Sequence, residues 1–348
     1  FQKNRLVSTI PTSVFVANIT IPKTGLKLDV LSGYVFERYF VDQKTLATRR
    51  CRSVTKVILA VSFCSSQLVG LSPATEISVH TDFPGGSAEV IEIDQGERLV
   101  RIMPNDHPGH GWRCWWYLRL EGLDPGVSYT LEVGDAPWAT PKRATFSVDG
   151  GKTWRHSGDG IPEDKRMRYS IDFGADIAWV AWGPPFVPAD ADQLVERIAA
   201  GSAEAANFSL CQTRAGRSAA ALRITTPGVG YRTYEPDRRQ KPLIWVQARQ
   251  HAWESGSSWV AQGFIEWLVS DDADAKQLRR QCETVIVPIM EVDNTFLGAG
   301  GKSQQPHDHN RDWSDQPHWP AVKAAQRQLR TAADTPRLGA FIDLHNPG

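Results

Sequence analysis

The sequence of 348 residues has no net charge, no long apolar run and no paired cysteine motif. Its 39 Lys+Arg cancel its 39 Asp+Glu, which argues against a chain that wraps nucleic acid or an acidic polymer over its whole surface. No stretch reaches about 18 consecutive apolar residues, so a membrane span is not expected. The five cysteines are an odd number without Cys-x-x-Cys spacing. That excludes a zinc ribbon and argues against a dense disulfide framework. Internal repeats and low-complexity stretches are also missing. What is present is 41% hydrophobic and 22% charged, with 13 Trp, 13 Phe and 7 Tyr, a composition that excludes a disordered chain. The length suits two domains with substantial cores.

Both ends carry signals. The first residue is Phe1 and the earliest methionine is Met103, so a fragment or an unusual start is expected. Arg49, Arg50, Arg52 and Lys56 precede an apolar run from Val57 to Val61, and the stretch closes at Pro73 and Ala74. A basic segment, a short apolar segment and small residues after it read as a secretory signal peptide over about 49–74. A periplasmic or extracellular protein is therefore expected, with the cytoplasm as the alternative. Cleavage near Ala74 would leave Cys114, Cys211 and Cys282, enough for at most one disulfide. At the other end the sequence stops at Gly348, just after a strand-like run from Leu338 to Leu344. A domain rarely ends as a core strand emerges, so the second domain is expected to be truncated.

The period of the hydrophobic pattern changes once. Alternating segments such as Ala88–Ile93, Trp115–Leu120 and Ser128–Val133, broken by turn signals such as Asp124-Pro125-Gly126, predict an antiparallel β-sandwich over 76–170. Beyond about Asp172, helices over Ala189–Ala200, Ser257–Val269, Ala273–Cys282 and Ala321–Ala332 alternate with strands over Leu243–Ala248, Val285–Met290 and Leu338–Leu344. This predicts an α/β/α domain with a mixed sheet over 171–348, behind a leader of residues 1–75.

Several motifs lead nowhere. Gly298–Ser303 and Gly150–Thr153 suggest phosphate loops, but Phe296 and Phe146 stand where the first glycine belongs. Ser147–Trp154 resembles the Asp-box of sialidases, yet it occurs once, which favours a structural hairpin. His107 and His110 lack matching ligands and read as loop residues.

The strand over Leu243–Ala248 runs into Arg249-Gln250-His251-Ala252-Trp253-Glu254. A His and a Glu three apart, on the first turn of a helix at the carboxyl end of a strand, can face one cation. His345, at the end of another strand, supplies a third ligand. Two His and one Glu with an open fourth position form a catalytic zinc arrangement.

The wider pattern resembles the zinc carboxypeptidase superfamily, in the branch typified by cytosolic carboxypeptidases, which has a β-sandwich ahead of the catalytic domain. The resemblance is carried by Ala248–Trp259, Gly263-Phe264, Val287–Met290, Asp308-His309-Asn310-Arg311-Asp312-Trp313 and Asp343-Leu344-His345. It extends upstream to Trp115–Arg119 and Tyr129–Leu131.

The resemblance implies zinc held by His251, Glu254 and His345, and a substrate carboxylate held by Asn310 and Arg311. Asp308 would accept the second ring N–H of His251. Peptide or protein C-termini are the implied substrates, with no nucleic-acid partner; nothing bears on oligomeric state. Three departures stand out. Glu291-Val292-Asp293-Asn294 replaces Asn-Pro-Asp-Gly. The arginine that stabilises the oxyanion falls near Gly301 or Lys302, so Lys302 is the candidate replacement. The general-base glutamate is expected past Gly348, so this stretch alone should be inactive. The expectation is a metallocarboxypeptidase; the alternatives are an amidase or deacylase on the same fold, or a catalytically dead secreted binding protein.

Overall fold

The computed structural model describes residues 4–7, 16–20, 76–134, 140–228, 240–335 and 337–346. These belong to one compact unit, Phe1–Gly25 with Glu76–Gly348. The other unit, Leu26–Thr75, lies outside the described residues, and with it the expected signal peptide.

Residues placed in the leader contribute β1 (Asn4–Val7) and β2 (Val16–Thr20), an antiparallel pair. The sandwich follows: β3 (Ser78–His80), β4 (Glu89–Asp94), β5 (Leu99–Met103), β6 (Tyr117–Glu121), β7 (Ser128–Gly134), β8 (Thr145–Ser147), β9 (Arg155–His156), β10 (Ile161–Glu163), β11 (Arg166–Asp172) and β12 (Ile177–Ala181). They form two five-stranded sheets, ordered β10-β11-β7-β5-β4 and β3-β6-β12-β8-β9. Alternate residues point inward and share one core, among them Val100, Ile102, Leu118, Leu120, Leu131, Val133, Tyr169 and Val180.

Two details differ from the expectation. The strand β5 pairs with β7 in parallel, because the chain between them passes through β6 in the other sheet rather than turning back as a hairpin. The sandwich also runs past residue 170, since β12 pairs with both β6 and β8. The Asp-box segment is a hairpin: β8 pairs with β9, and the Asp149 carboxylate accepts the N–H groups of Lys152 (3.0 Å) and Thr153 (2.9 Å).

On β7, Glu132 is nearly buried yet receives Arg101 at 2.8 Å and Arg166 at 2.9 Å, with Arg168 at 3.7 Å. Burial works against its charge, but the Arg101 hydrogen bond and the three guanidinium charges win and hold its pKa below the ordinary 4.5. A depressed carboxylate stabilises the fold above its unfolded pKa, and that contribution is lost as pH falls through the folded value. Glu132→Gln should therefore cost about 1–3 kcal/mol at pH 7. Urea midpoints of the two proteins should draw together as pH falls below the ordinary carboxylate value and meet only below the depressed folded one.

The second core surrounds a seven-stranded sheet, β1-β2-β17-β15-β16-β14-β13, whose remaining strands are β13 (Ala205–Gln212), β14 (Ser218–Ile224), β15 (Leu243–Ala248), β16 (Glu283–Val287) and β17 (Leu338–His345). The sheet is mixed: β15 pairs in parallel with β16 and β17, and the other pairs are antiparallel. All six residues of β15 are buried, as a central parallel strand requires.

Among the described residues, five helices accompany the sheet: α1 (Pro188–Gly201), α2 (Ser255–Leu268), α3 (Ala273–Gln281), α4 (Val292–Leu297) and α5 (Pro320–Asp334). Their starts follow local chemistry. Pro188 opens α1, and the Asp272 carboxylate accepts the N–H groups of Asp274 and Ala275 at the head of α3. α2 packs on β15, β16 and β17, and α1 on β13 and β14. Because β15 and β17 run parallel with Ala248 opposite Leu344, the residues after both strands emerge at one edge of the sheet.

Candidate metal centre

At that edge His251, Glu254 and His345 converge, one ligand atom of each lying within 4.8 Å of the others. His251 and Glu254 were expected on the first turn of a helix. They lie instead in the turn between β15 and α2, with Glu254 as the residue that precedes the helix. The turn closes through Glu254 N–H to the His251 carbonyl at 3.1 Å. It begins at Arg249, whose φ of 62° is uncommon for a residue with a side chain.

The polar contacts are symmetric. Glu254 Oε1 lies 2.9 Å from His251 Nδ1, and Glu254 Oε2 lies 2.8 Å from His345 Nδ1. Each remaining ring nitrogen faces another carboxylate: His251 Nε2 is 3.2 Å from Asp308 and His345 Nε2 is 3.3 Å from Asp343. Burial opposes charge throughout, but the hydrogen bonds to His251 and His345 hold Glu254 at about 2. Asp343 and Glu254 likewise raise His345 to about 10. Two imidazoles presenting Nδ1 to a shared carboxylate, each backed at Nε2, is a donor set suited to zinc.

Behind the centre, Gln250 is fully buried and joins three elements. Its Nε2 donates to Asp343 at 2.7 Å and to Asn310 Oδ1 at 3.2 Å, and its Oε1 receives the Trp313 indole N–H at 3.1 Å and faces His309 Nδ1 at 3.2 Å. Asn310 and Arg311 lie on a 3-10 turn, His309–Arg311, opened by Asp308, which accepts the Asn310 N–H at 2.9 Å. Arg311 is exposed.

The Lys302 ammonium sits 5.3 Å from the Trp112 ring, on a sandwich loop, although its neighbours border the centre: the Gly300 carbonyl accepts the Trp253 N–H at 3.2 Å and the Ser303 N–H donates to Asp308 at 2.7 Å. The glycines beside it have a packing role. Gly301 has φ 80°, and a Cβ there would overlap the Glu291 carboxylate. Cys114, Cys211 and Cys282 are free thiols.

The sandwich reaches this turn directly. Trp253, between the first two candidate ligands, packs edge-on against Trp182 at 5.1 Å and shares a cluster with Cys114, Trp115 and Tyr117.

Residues 193–335 match the family model described as zinc carboxypeptidase, Peptidase_M14. That match covers less than half of the chain. It is similar to cytosolic carboxypeptidase 1 of Homo sapiens, at 24% identity over 75% of this chain and 24% of that protein. It is 37% identical to cytosolic carboxypeptidase 6 of Caenorhabditis elegans, over 32% of this chain and 25% of that protein. For cytosolic carboxypeptidase 2 of Danio rerio the identity is 22%, over 66% of this chain and 35% of the relative. The chain thus spans about a quarter to a third of the length of these relatives. Its fold is that of a metallo-carboxypeptidase from Burkholderia cenocepacia, with a TM-score of 0.64 at 22% identity over 74% of this chain and 68% of that one.

Proposed function

We propose that the protein is a zinc-dependent metallocarboxypeptidase that removes the C-terminal residue of a peptide or protein. The observation that carries this reading is the convergence of His251, Glu254 and His345 beside the Asn310-Arg311 turn. Those three residues would hold zinc, which as a Lewis acid would activate water and polarise the scissile carbonyl.

The chain's own residues divide the remaining work. Asp308 and Asp343 fix the two imidazoles so that Nδ1 faces Glu254. Gln250 occupies the Asn310 Oδ1, which leaves the Asn310 amide N–H groups to donate outward. Beside it the exposed Arg311 guanidinium offers a fork that matches a terminal carboxylate. Together they would place the last peptide bond of a substrate over the three ligands. Lys302, over Trp112, would need to leave that ring to act on an oxyanion.

Location follows the relatives. Those compared are named cytosolic, so we place the protein in the cytoplasm, the alternative to the exported form read from residues 49–74. No helix among the described residues is long and apolar enough to cross a membrane.

The test is a peptide series assayed with the full-length protein. Loss of one C-terminal residue is expected from free-acid peptides, abolished by chelator and restored by zinc. Release of an internal fragment or of a non-peptide acyl group instead would remove the carboxypeptidase reading.

A further inference from the structure

The turn that carries His251 and Glu254 is gripped at its middle residue, Ala252, by two buried side chains, a carboxyl group and a guanidinium. The Ala252 N–H donates to Glu291 Oε2 at 2.8 Å. The Ala252 carbonyl accepts from Arg249 Nε at 2.8 Å. Arg249 and Glu291 are both buried, and they come from different segments: the exit of β15 and the residue before α4. Arg249 is itself anchored to the Phe186 carbonyl.

Glu291 is held in turn. Its Oε1 accepts from the side-chain amides of Asn294 and Gln304, and Asn294 Oδ1 lies 2.6 Å from His110 Nδ1 on a sandwich loop. Gly301 packs so closely that a side chain there would displace the Glu291 carboxylate.

We propose that Arg249 and Glu291 are positioning residues that set the His251–Glu254 turn in its metal-binding geometry, with the sandwich loop steadying Glu291 through Asn294. This rests on the reading of His251, Glu254 and His345 as zinc ligands. Rotation of either peptide flanking Ala252 would swing one candidate ligand away from the other. Fixing the N–H of the first and the carbonyl of the second prevents that before zinc arrives.

The test measures zinc dissociation constants by chelator competition for the wild type, Glu291→Gln, Glu291→Met and Glu254→Ala, with thermal unfolding as a check on the fold. Gln keeps an acceptor for the Ala252 N–H and should bind zinc within about threefold of the wild type. Met has similar size and no such acceptor, so its affinity should fall about 10- to 100-fold. In the wild type without zinc, the Ala252 amide should exchange slowly with solvent, a result that needs no variant. Wild-type affinity in folded Glu291→Met, equal losses in both Glu291 variants, or an Ala252 amide that exchanges as fast as an exposed loop overturns the proposal. Wild-type affinity in Glu254→Ala would instead sink the ligand reading beneath it.

Discussion

Glu254→Ala is expected to weaken zinc binding by roughly 100- to 1000-fold, taking about 3–4 kcal/mol for one ligand of a site whose whole affinity is about 10–16 kcal/mol. The buried carboxylate is the only one of the three candidate ligands that touches both others, at 2.9 Å and 2.8 Å. Its removal leaves two imidazoles 5.5 Å apart with no anion between them. His251→Ala should show a similar loss, and metal content after dialysis should fall in both. Unchanged content in both variants would dismiss the assignment.

The same contacts give a pH dependence. Zinc needs His345 deprotonated at the ligating nitrogen, and in the metal-free protein its pKa is raised to about 10. Binding near neutral pH must then expel a proton. Affinity should rise with pH, up to about tenfold per pH unit for each proton displaced, and level off as His345 loses its proton. Calorimetry in buffers of different ionisation enthalpy would register the released proton.

How much of this was legible follows from what each residue depends on. The grouping of His251, Glu254 and His345 could be read because strand ends and short spacing place them, and the approach of Asp308 to His251 because the resemblance implies it. Asp343 was equally readable and went unassigned: two residues before His345 on a strand, it shares that residue's face. Gln250, Arg249 and Glu291 were beyond sequence reasoning. Their roles appear only when segments 93 and 39 residues apart meet, as Gln250 does with Asp343 and Ala252 with Glu291. The hairpin of β13 and β14 was also missed. Alternation is blurred there because four consecutive residues of β14 are buried.

The fold was legible at the level of layers and less so at the joints. Its hydrophobic periods gave a sandwich and a mixed sheet, but β12 falls beyond the boundary because its pattern, Ile-Ala-Trp-Val-Ala, reads equally as a strand of either sheet. The expectation for Lys302 rested on chain position alone. Position along a glycine-rich loop does not say which way a side chain leaves it, and here the ammonium turns to Trp112.

Arg311 separates a carboxypeptidase from an amidase on the same fold. If its guanidinium binds the terminal carboxylate, Arg311→Ala removes a charge-assisted contact made in both ground and transition states. The expected loss is about 2–4 kcal/mol, or roughly 30- to 1000-fold in kcat/KM, carried largely by KM. Lysine should rescue little, since a single ammonium cannot reproduce the fork. Peptides amidated at the C-terminus lack the anion, so the wild type should cleave them poorly and Arg311→Ala should change that rate little. The contrast is specific because Arg311 is exposed and its guanidinium donates to the carbonyl of its neighbour Asn310, at 3.4 Å. Its removal should leave the fold and zinc content intact. Lys302→Ala offers the comparison: an ammonium recruited to the oxyanion would lower kcat for free and amidated substrates alike. Equal wild-type activity on both kinds of terminus, with Arg311→Ala indifferent to the difference, would leave the amidase standing.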